Sequence, residues 1–183
     1  MPEMVEVVID SIRVGLMSQQ RVVILREIEA ERYLAIWIDP YMAEQITFAL
    51  QEVEVARPMT HDLIKEMLDR LEAKILRVEV ISIKGDVFFG NIVLDVGGET
   101  VNMDSRPSDA LALAVRAHVP ILVANEVMDT AGIIPEDDME SELEEGESVG
   151  GDGGGRLEIF EDFLDNLDIS DEEGDTDNDK AGQ

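Results

Sequence analysis

The sequence contains no cysteine, few basic residues and no long apolar run, and each absence excludes a class of protein. Without cysteine there can be no disulfide, thiolate metal site or cysteine nucleophile, which favours a cytoplasmic location. No run of about 18 apolar residues occurs, so we expect no membrane-spanning helix. Lysine and arginine total 14 against 42 aspartate and glutamate residues, a net charge of -28. This balance excludes nucleic-acid binding through a generally basic surface.

The negative charge is concentrated towards the C-terminus. Residues 1–134 contain 22 acidic and 12 basic residues, a net charge of -10, whereas residues 135–183 contain 20 acidic and 2 basic residues, a net charge of -18. Because 45% of the chain is hydrophobic, residues 1–134 can form one domain with its own core.

The C-terminal part divides into three segments. Residues 135–155 are acidic and glycine-rich, with six glycines between Gly146 and Gly155, and predict a flexible linker. Residues 156–169 predict an amphipathic helix that docks on its own core, binds a protein partner or stays loose in the tail. The apolar residues of that helix share one face: Leu157, Phe160, Phe163, Leu164 and Leu167. Residues 170–183 predict a disordered acidic end.

Residues 1–134 predict an α+β domain with a mixed or antiparallel sheet and three main helices. Asp39 with Pro40, Thr60 and Pro107 mark the helix starts, and Gly97 with Gly98 predicts a two-residue hairpin turn. The second helix should bury an apolar stripe. That stripe consists of Leu63, Ile64, Met67, Leu68 and Leu71.

The two halves of this domain resemble copies of one β-β-β-α unit. An offset of 67 residues aligns Pro40 with Pro107, Ala43 with Ala110, and Asp39 with Arg106. The alternative is chance similarity between two amphipathic stretches, because the identities are few.

The densest polar cluster of the domain runs from Asp104 to Asp109, between a predicted strand and a predicted helix. Backbone N–H groups and the helix dipole favour anions at such a junction. Arg106 can hold a phosphate through two hydrogen bonds, while Asp104 and Asp109 can bind a divalent cation, Mg²⁺ or Mn²⁺. The alternative is structural: Asp109 and Ser108 stabilise the first helical turn, and Asp104 pairs with Arg106.

A second cluster, from Arg57 to Asp62, repeats the order of arginine, proline, hydroxyl residue and acid. His61 can act as a general base or metal ligand if a free ring nitrogen faces a cleft; otherwise it bridges backbone groups. Because both motifs precede helices, we predict that they meet in one cleft, with Arg57 and His61 facing the Asp104–Asp109 cluster. There Arg106 would hold a phosphate and His61 would move the proton of an attacking water.

These motifs resemble the bifunctional nuclease family, formerly catalogued as a domain of unknown function. The resemblance rests on RPMTHDLIKEMLDRL, on VNMDSRPSDALALAVRAHVPILV and on their spacing, and it covers nearly all of residues 1–134. It implies a compact α+β domain with a curved sheet that cleaves both RNA and DNA. Motif membership extends to Arg57, Pro58, His61, Asp62, Asp104, Arg106, Pro107, Ser108, Asp109 and Ala110. Asp39 departs from the family, in which glycine is expected.

We therefore expect a nuclease that cleaves RNA, DNA or both with the help of a divalent cation. The net charge opposes this, because a polyanionic substrate is repelled unless cations or a local basic cleft intervene. The alternative is a non-enzymatic regulatory domain that binds a small anionic ligand or a protein. A third explanation is that the acidity adapts the surface to a saline cytoplasm.

A homodimer is also expected. Residues 121–123 form a short β-branched strand that we place at the end of the sheet, where it can pair with a second copy. The helix face of Ala110, Ala114 and Ala117 can likewise let another backbone approach closely.

Overall fold

The computed structural model describes residues 3–14 and 20–134. The chain divides into two units, residues 1–138 and 139–183, and every described residue belongs to the first. The predicted linker (135–155), amphipathic helix (156–169) and acidic end (170–183) lie outside the described residues. Within the described ranges, no helix is long and apolar enough to cross a membrane.

The described residues form four helices and eight strands, which confirms the α+β class. Three helices of eleven residues each are the main ones, as predicted. In chain order the elements are β1 (Met4–Val14), β2 (Arg21–Glu27), β3 (Tyr33–Ile38), α1 (Pro40–Leu50), α2 (Thr60–Arg70), β4 (Ala73–Lys84), β5 (Val87–Val96), β6 (Glu99–Ser105), α3 (Pro107–Ala117), β7 (Ile121–Ala124), α4 (Asn125–Ala131) and β8 (Gly132–Ile133).

All eight strands belong to one open sheet in the order β6-β5-β4-β7-β1-β2-β3-β8. Every neighbouring pair is antiparallel except β4 and β7, which are parallel. On one side of β7 the strands β1, β2 and β3 lead into α1, and on the other side β4, β5 and β6 lead into α3. The sheet therefore has the order expected of two β-β-β-α units joined by β7.

The position of β7 corrects the route by which we expected a homodimer to form. β7 pairs with β1 on one side and with β4 on the other, so it is not a terminal strand. Ala110 and Ala114 are buried in the core of the domain itself. Neither surface is open to a second copy, so this route is wrong, and the homodimer stays a prediction.

The core lies between the sheet and one layer of helices. α3 packs on β4 and β5 and contacts both α1 and α2. Residues 110–114 of α3 are all buried against side chains such as Ile92 and Leu94 of β5. Burial on this scale, at roughly 25 cal/mol per Å² of apolar surface, is what stabilises the helix layer.

The apolar stripe predicted for α2 is largely exposed, which corrects that expectation. Leu63, Met67 and Leu71 are each more than half exposed, and only Leu68 of the stripe packs against the core. His61 is the one buried residue of α2. The helix is therefore held mainly at its first turn rather than along its apolar face.

Gly90 allows the start of α3 to lie close to β5. It pairs in register with Ser105 of β6. A Cβ atom at Gly90 would lie 2.9 Å from the Ser105 carbonyl oxygen and 3.0 Å from the Pro107 nitrogen. Both are backbone atoms, so neither can rotate away, and the missing side chain sets the position of α3 over the sheet.

Gly90→Ala should therefore lower the free energy of unfolding by about 1–3 kcal/mol, the usual cost of overpacking. Chemical denaturation measures this, with Thr100→Ala on the exposed strand β6 as a control expected to change stability by no more than about 0.5 kcal/mol. Equal effects from the two variants would show that the close approach at Gly90 does not constrain the fold.

Candidate anion site at the first turns of three helices

Asp109 joins the first turns of α2 and α3. His61 Nε2 lies 3.1 Å from its Oδ1, and Arg106 Nε lies 2.7 Å from its Oδ2. Arg106 Nη2 lies 3.2 Å from Oδ1, so guanidinium and carboxylate meet at two points. The two sequence motifs thus meet through His61, Arg106 and Asp109.

Two further contacts bring α1 into the same place. Arg106 Nη1 lies 3.9 Å from Asp39 Oδ2, and the Tyr41 hydroxyl lies 3.3 Å from Thr60 Oγ1. Because Thr60 adjoins His61 in sequence, these contacts link the first turns of α1, α2 and α3 to one another. We call it the three-helix cluster, and its members are Asp39, Tyr41, Thr60, His61, Arg106 and Asp109.

Each helix contributes its first turn to this cluster. α1 begins at Pro40 and α3 at Pro107. Proline suits this first position because it has no N–H group that would need a partner there. Asp39 caps α1 by accepting a hydrogen bond of 2.9 Å from the Met42 N–H. The contacts place the three first turns close together, and the first turn of each helix carries unpaired N–H groups and the positive end of the helix dipole. Such an arrangement suits an anion.

His61 is deeply placed in the cluster, with only 3% of its surface exposed. Its Nε2 is engaged by Asp109, and its Nδ1 is buried with no hydrogen-bond partner among the described residues. A general base must reach the proton that it removes. His61 is therefore set behind Asp109 rather than at the solvent-facing side of the cluster.

Asp109 is partly exposed, with 31% of its side chain accessible to solvent. Burial raises the pKa of its carboxyl, but the hydrogen bonds and charges of Arg106 and His61 outweigh burial and hold this pKa below its ordinary value. The same hydrogen bond raises the pKa of Arg106. At neutral pH the pair is consequently a carboxylate and a guanidinium, and the Arg106 side chain is 65% exposed.

A second ion pair fixes the same turn of α2. Arg116, near the end of α3 and only 7% exposed in its side chain, donates from Nε to Asp62 Oδ1. Its Nη1 donates to the carbonyl oxygens of Gln45 at 3.1 Å and Ala112 at 3.0 Å. Through Arg116, Asp62 thus helps to hold α1, α2 and α3 together, and a direct part for Asp62 in binding a ligand stays a prediction.

Asp104 lies away from the three-helix cluster. It is exposed on β6 and pairs in register with Asn91 of β5. The preceding residue, Met103, pairs with Ile92, whose side chain belongs to the core under the helices. Because side chains alternate between the faces of a strand, Asp104 is on the face of the sheet opposite the helices.

Arg57 and Ser108 complete the set of predicted residues. Arg57 is exposed in the segment before α2, and no hydrogen bond or ion pair between described residues joins it to the cluster. Ser108 is buried in the first turn of α3, 7% exposed, and packs as part of the helix start. The structure thus brings His61, Arg106 and Asp109 together and leaves Arg57 and Asp104 outside their contacts.

The expected divalent cation does not fit Asp104 and Asp109 as a shared pair. The two carboxylates lie on different sides of the sheet, and both oxygens of Asp109 already accept hydrogen bonds. In the part of the chain that the structure describes, no group of three or more histidine or acidic side chains is placed to hold a metal ion.

Asp39, Tyr41 and Arg116 were not predicted to belong to the site or to support it. A signal existed for two of them. The 67-residue offset aligns Asp39 with Arg106, and the structure places these two side chains 3.9 Å apart. Arg116 is the one basic residue of an otherwise mostly apolar helix, and a charge in that position needs a partner.

Residues 23–136 match the family described as bifunctional nuclease domain. The match includes both motifs and the whole three-helix cluster, and the chain belongs to this family. An uncharacterized protein of Mycobacterium tuberculosis is similar over a greater length: it is 35% identical over 162 residues, which cover 88% of this chain and 94% of that protein.

Plant proteins are similar over a shorter region. Bifunctional nuclease 1 of Arabidopsis thaliana is 36% identical over 78 residues, which cover 41% of this chain and 24% of the plant protein. Bifunctional nuclease 2 of Oryza sativa subsp. japonica is 29% identical over 120 residues, 63% of this chain and 37% of the plant protein. The chain thus matches only a part of these larger proteins.

Asp62→Asn should lower the free energy of unfolding by about 1–3 kcal/mol at neutral pH, because Arg116 would remain buried without its counter-charge. Burial raises the pKa of Asp62. Hydrogen bonds from Arg116 and the Met59 N–H, together with the charge of Arg116, outweigh burial, so the pKa lies below its ordinary value. A lowered pKa gives stability that is present above the unfolded-state pKa and is lost as the pH falls through the folded-state pKa.

The stability difference between the wild type and Asp62→Asn should therefore shrink in acid. Denaturation curves from about pH 7 down to about pH 3 measure it, a range that spans the ordinary carboxyl pKa. Asp69→Asn, which removes an exposed i,i+4 partner of Lys65, is the matched control and should change stability by less than about 1 kcal/mol. A difference that stays constant across this range would contradict the assigned ion pair.

Proposed function

We propose that this domain is a nuclease that cleaves phosphodiester bonds of RNA, DNA or both, with the three-helix cluster as its phosphate-binding and catalytic site. The observation that carries this proposal is the meeting of three helix first turns around an exposed arginine, joined by contacts at Asp109 and Asp39. Membership of the bifunctional nuclease family supports the same substrate class.

Arg106 is the phosphate-binding residue in this proposal. Its Nε and one Nη2 N–H face Asp109, while among the described residues the nearest carboxylate to Nη1 is that of Asp39, 3.9 Å away. The outer edge of the guanidinium is therefore free to donate to two phosphate oxygens. The two hydrogen bonds to Asp109 already restrict the Arg106 side chain, so little rotamer entropy is lost on binding.

The pair of Asp109 and His61 is the proton acceptor in this proposal. When the outer edge of Arg106 binds a phosphate, the negative phosphate comes close to the partly buried Asp109, so the pKa of its carboxyl should rise. A carboxylate with a higher pKa is a better base for the proton of an attacking water. His61 donates from Nε2 to Asp109 and holds the carboxylate in place.

The net charge of -28 is compatible with this local arrangement. Exposed charges farther apart than a Debye length of about 8–10 Å are largely screened at physiological salt. Three helix N-termini and Arg106 act within that distance of a bound phosphate. The acidity should therefore slow the approach of substrate more than it weakens the contacts of a bound phosphate.

A second candidate function is a regulatory domain that binds a small anionic ligand without cleaving it. One observation favours it: among the described residues, no group of three or more acidic or histidine side chains is placed to hold a metal ion. The same arginine would hold the ligand, so the two candidates differ in whether bound oligonucleotide is cut.

Arg106→Ala should reduce kcat/KM for a labelled RNA or DNA oligonucleotide by at least about 100-fold, because the charged contact to the phosphate is lost. The assay is run with Mg²⁺, with Mn²⁺ and with a chelator, which also measures whether a cation is required. Arg70→Ala removes an arginine of α2 that is 77% exposed and pairs with Glu66 of the same helix, and is the matched control.

The Arg106→Ala variant should melt within a few degrees of the wild type, because the residue is exposed and its ion pair lies at the surface. Cleavage by Arg106→Ala at the rate of Arg70→Ala would contradict the nuclease site. Wild-type protein that binds the oligonucleotide but never cuts it, with or without a cation, would favour the regulatory domain.

Asp109→Asn should abolish most of the cleavage, whereas Asp104→Asn should leave kcat within about twofold of the wild type. The physical reason is placement, since Asp104 lies on the opposite face of the sheet from Arg106 and Asp109. Initial rates at saturating substrate measure both. A strong loss in Asp104→Asn, together with normal activity in Asp109→Asn, would move the active site to the other face.

A further inference from the structure

Tyr41 is unusual among the aromatic residues of this protein because it is half exposed. Tyr41 has 49% of its surface exposed, and every other aromatic residue in the described ranges is more buried than this. An aromatic ring in water loses the burial that normally stabilises it. Its exposure beside the three-helix cluster calls for a functional explanation.

The ring of Tyr41 is held in place from both ends. Its backbone belongs to the first turn of α1, two residues after Asp39, which lies against Arg106. Its hydroxyl is within 3.3 Å of Thr60 Oγ1 in the first turn of α2. A ring fixed in this way loses little conformational freedom when a ligand packs on its face.

We propose that Tyr41 stacks on a base of a single-stranded nucleic acid whose phosphate is held by Arg106. The inference rests on the proposed function and adds to it the substrate class and the residue that selects it. Every base offers a π-face, so a tyrosine beside a phosphate anchor recognises single strands with little regard to sequence. In a duplex the neighbouring base pairs cover those faces, and a base must first be unstacked.

The charge of the chain makes such an uncharged contact valuable. With a net charge of -28, each additional phosphate contact works against a repulsive field. Stacking adds affinity without requiring the substrate to bring more phosphates close to the acidic surface. Tyr41 thus contacts a base and Arg106 a phosphate, and the contribution of each contact to the binding affinity can be measured separately.

The test uses the full chain with a chelator present, so that binding is measured without cleavage. Probes are a fluorescent single-stranded oligothymidylate, an abasic oligomer of equal length and a duplex of the same sequence. Tyr41→Ala should weaken binding of the single strand about tenfold or more and leave the abasic oligomer unaffected. Wild-type protein should prefer the single strand to both other probes.

Three variants serve as controls. Tyr41→Phe keeps the ring and should retain binding within about threefold, because stacking depends on the ring rather than the hydroxyl. Leu63→Ala shortens an exposed apolar side chain of α2 outside the cluster and should have no effect. Arg106→Ala should weaken all three probes.

Salt dependence separates the two contacts. Tyr41→Ala should shift log K by a constant amount at every salt concentration. Arg106→Ala should instead make the slope of log K against log salt less steep, by the amount expected for the loss of one phosphate contact. Equal binding of normal and abasic single strands, lost only in Arg106→Ala, would overturn stacking and leave the phosphate site standing. No binding of any probe by the wild type would overturn both proposals.

Discussion

The burial of α3 is the constraint on which the rest of the described domain depends. Its apolar residues fill the space between the sheet and the other helices, so its position is fixed by packing. Its only two charged residues, Asp109 and Arg116, then bind His61 and Asp62, which are consecutive in α2. The buried helix thereby determines where the first turn of α2 lies, although α2 itself buries little.

The same arrangement makes the candidate site inseparable from the fold. A residue such as Asp109 holds α2 through His61 and holds Arg106 ready for an anion. A bound phosphate shares the guanidinium of Arg106 with Asp109, so ligand binding changes the charge balance at a contact between two helices. In a site of this kind the packing of the core fixes where the charged side chains lie, and a bound ligand changes the electrostatic interactions between them.

The sequence predicted the local structure well where a residue type has one conformational role. Gly97 and Gly98 both adopt positive φ in the β5–β6 turn, and Pro107 begins α3, as expected. The sequence could not place β7, because four apolar residues form a strand equally well at an edge or in the centre of a sheet. Periodicity likewise showed that α2 has an apolar face but not that the core would leave it exposed.

The site was predictable in part. Two arginine–proline motifs before helices correctly suggested that His61, Arg106 and Asp109 would meet. Asp104 was grouped with them by its nearness in sequence, although strand alternation already separates it from Met103 and the core face. Tyr41 and Arg116 carried no local motif, and their roles depend on neighbours that only the packing of three helices supplies.

The place of β7 between the two halves has a consequence for the order of folding. β1 and β4 have no contact in the sheet except through β7, whose residues follow β6 and α3 in the chain. During synthesis, each half can form its hairpins early, yet the two halves cannot join into one sheet before Ala124 has left the ribosome. Until then both halves expose a strand edge and are open to wrong partners, so the late strand sets the interval in which the nascent chain is most prone to aggregate.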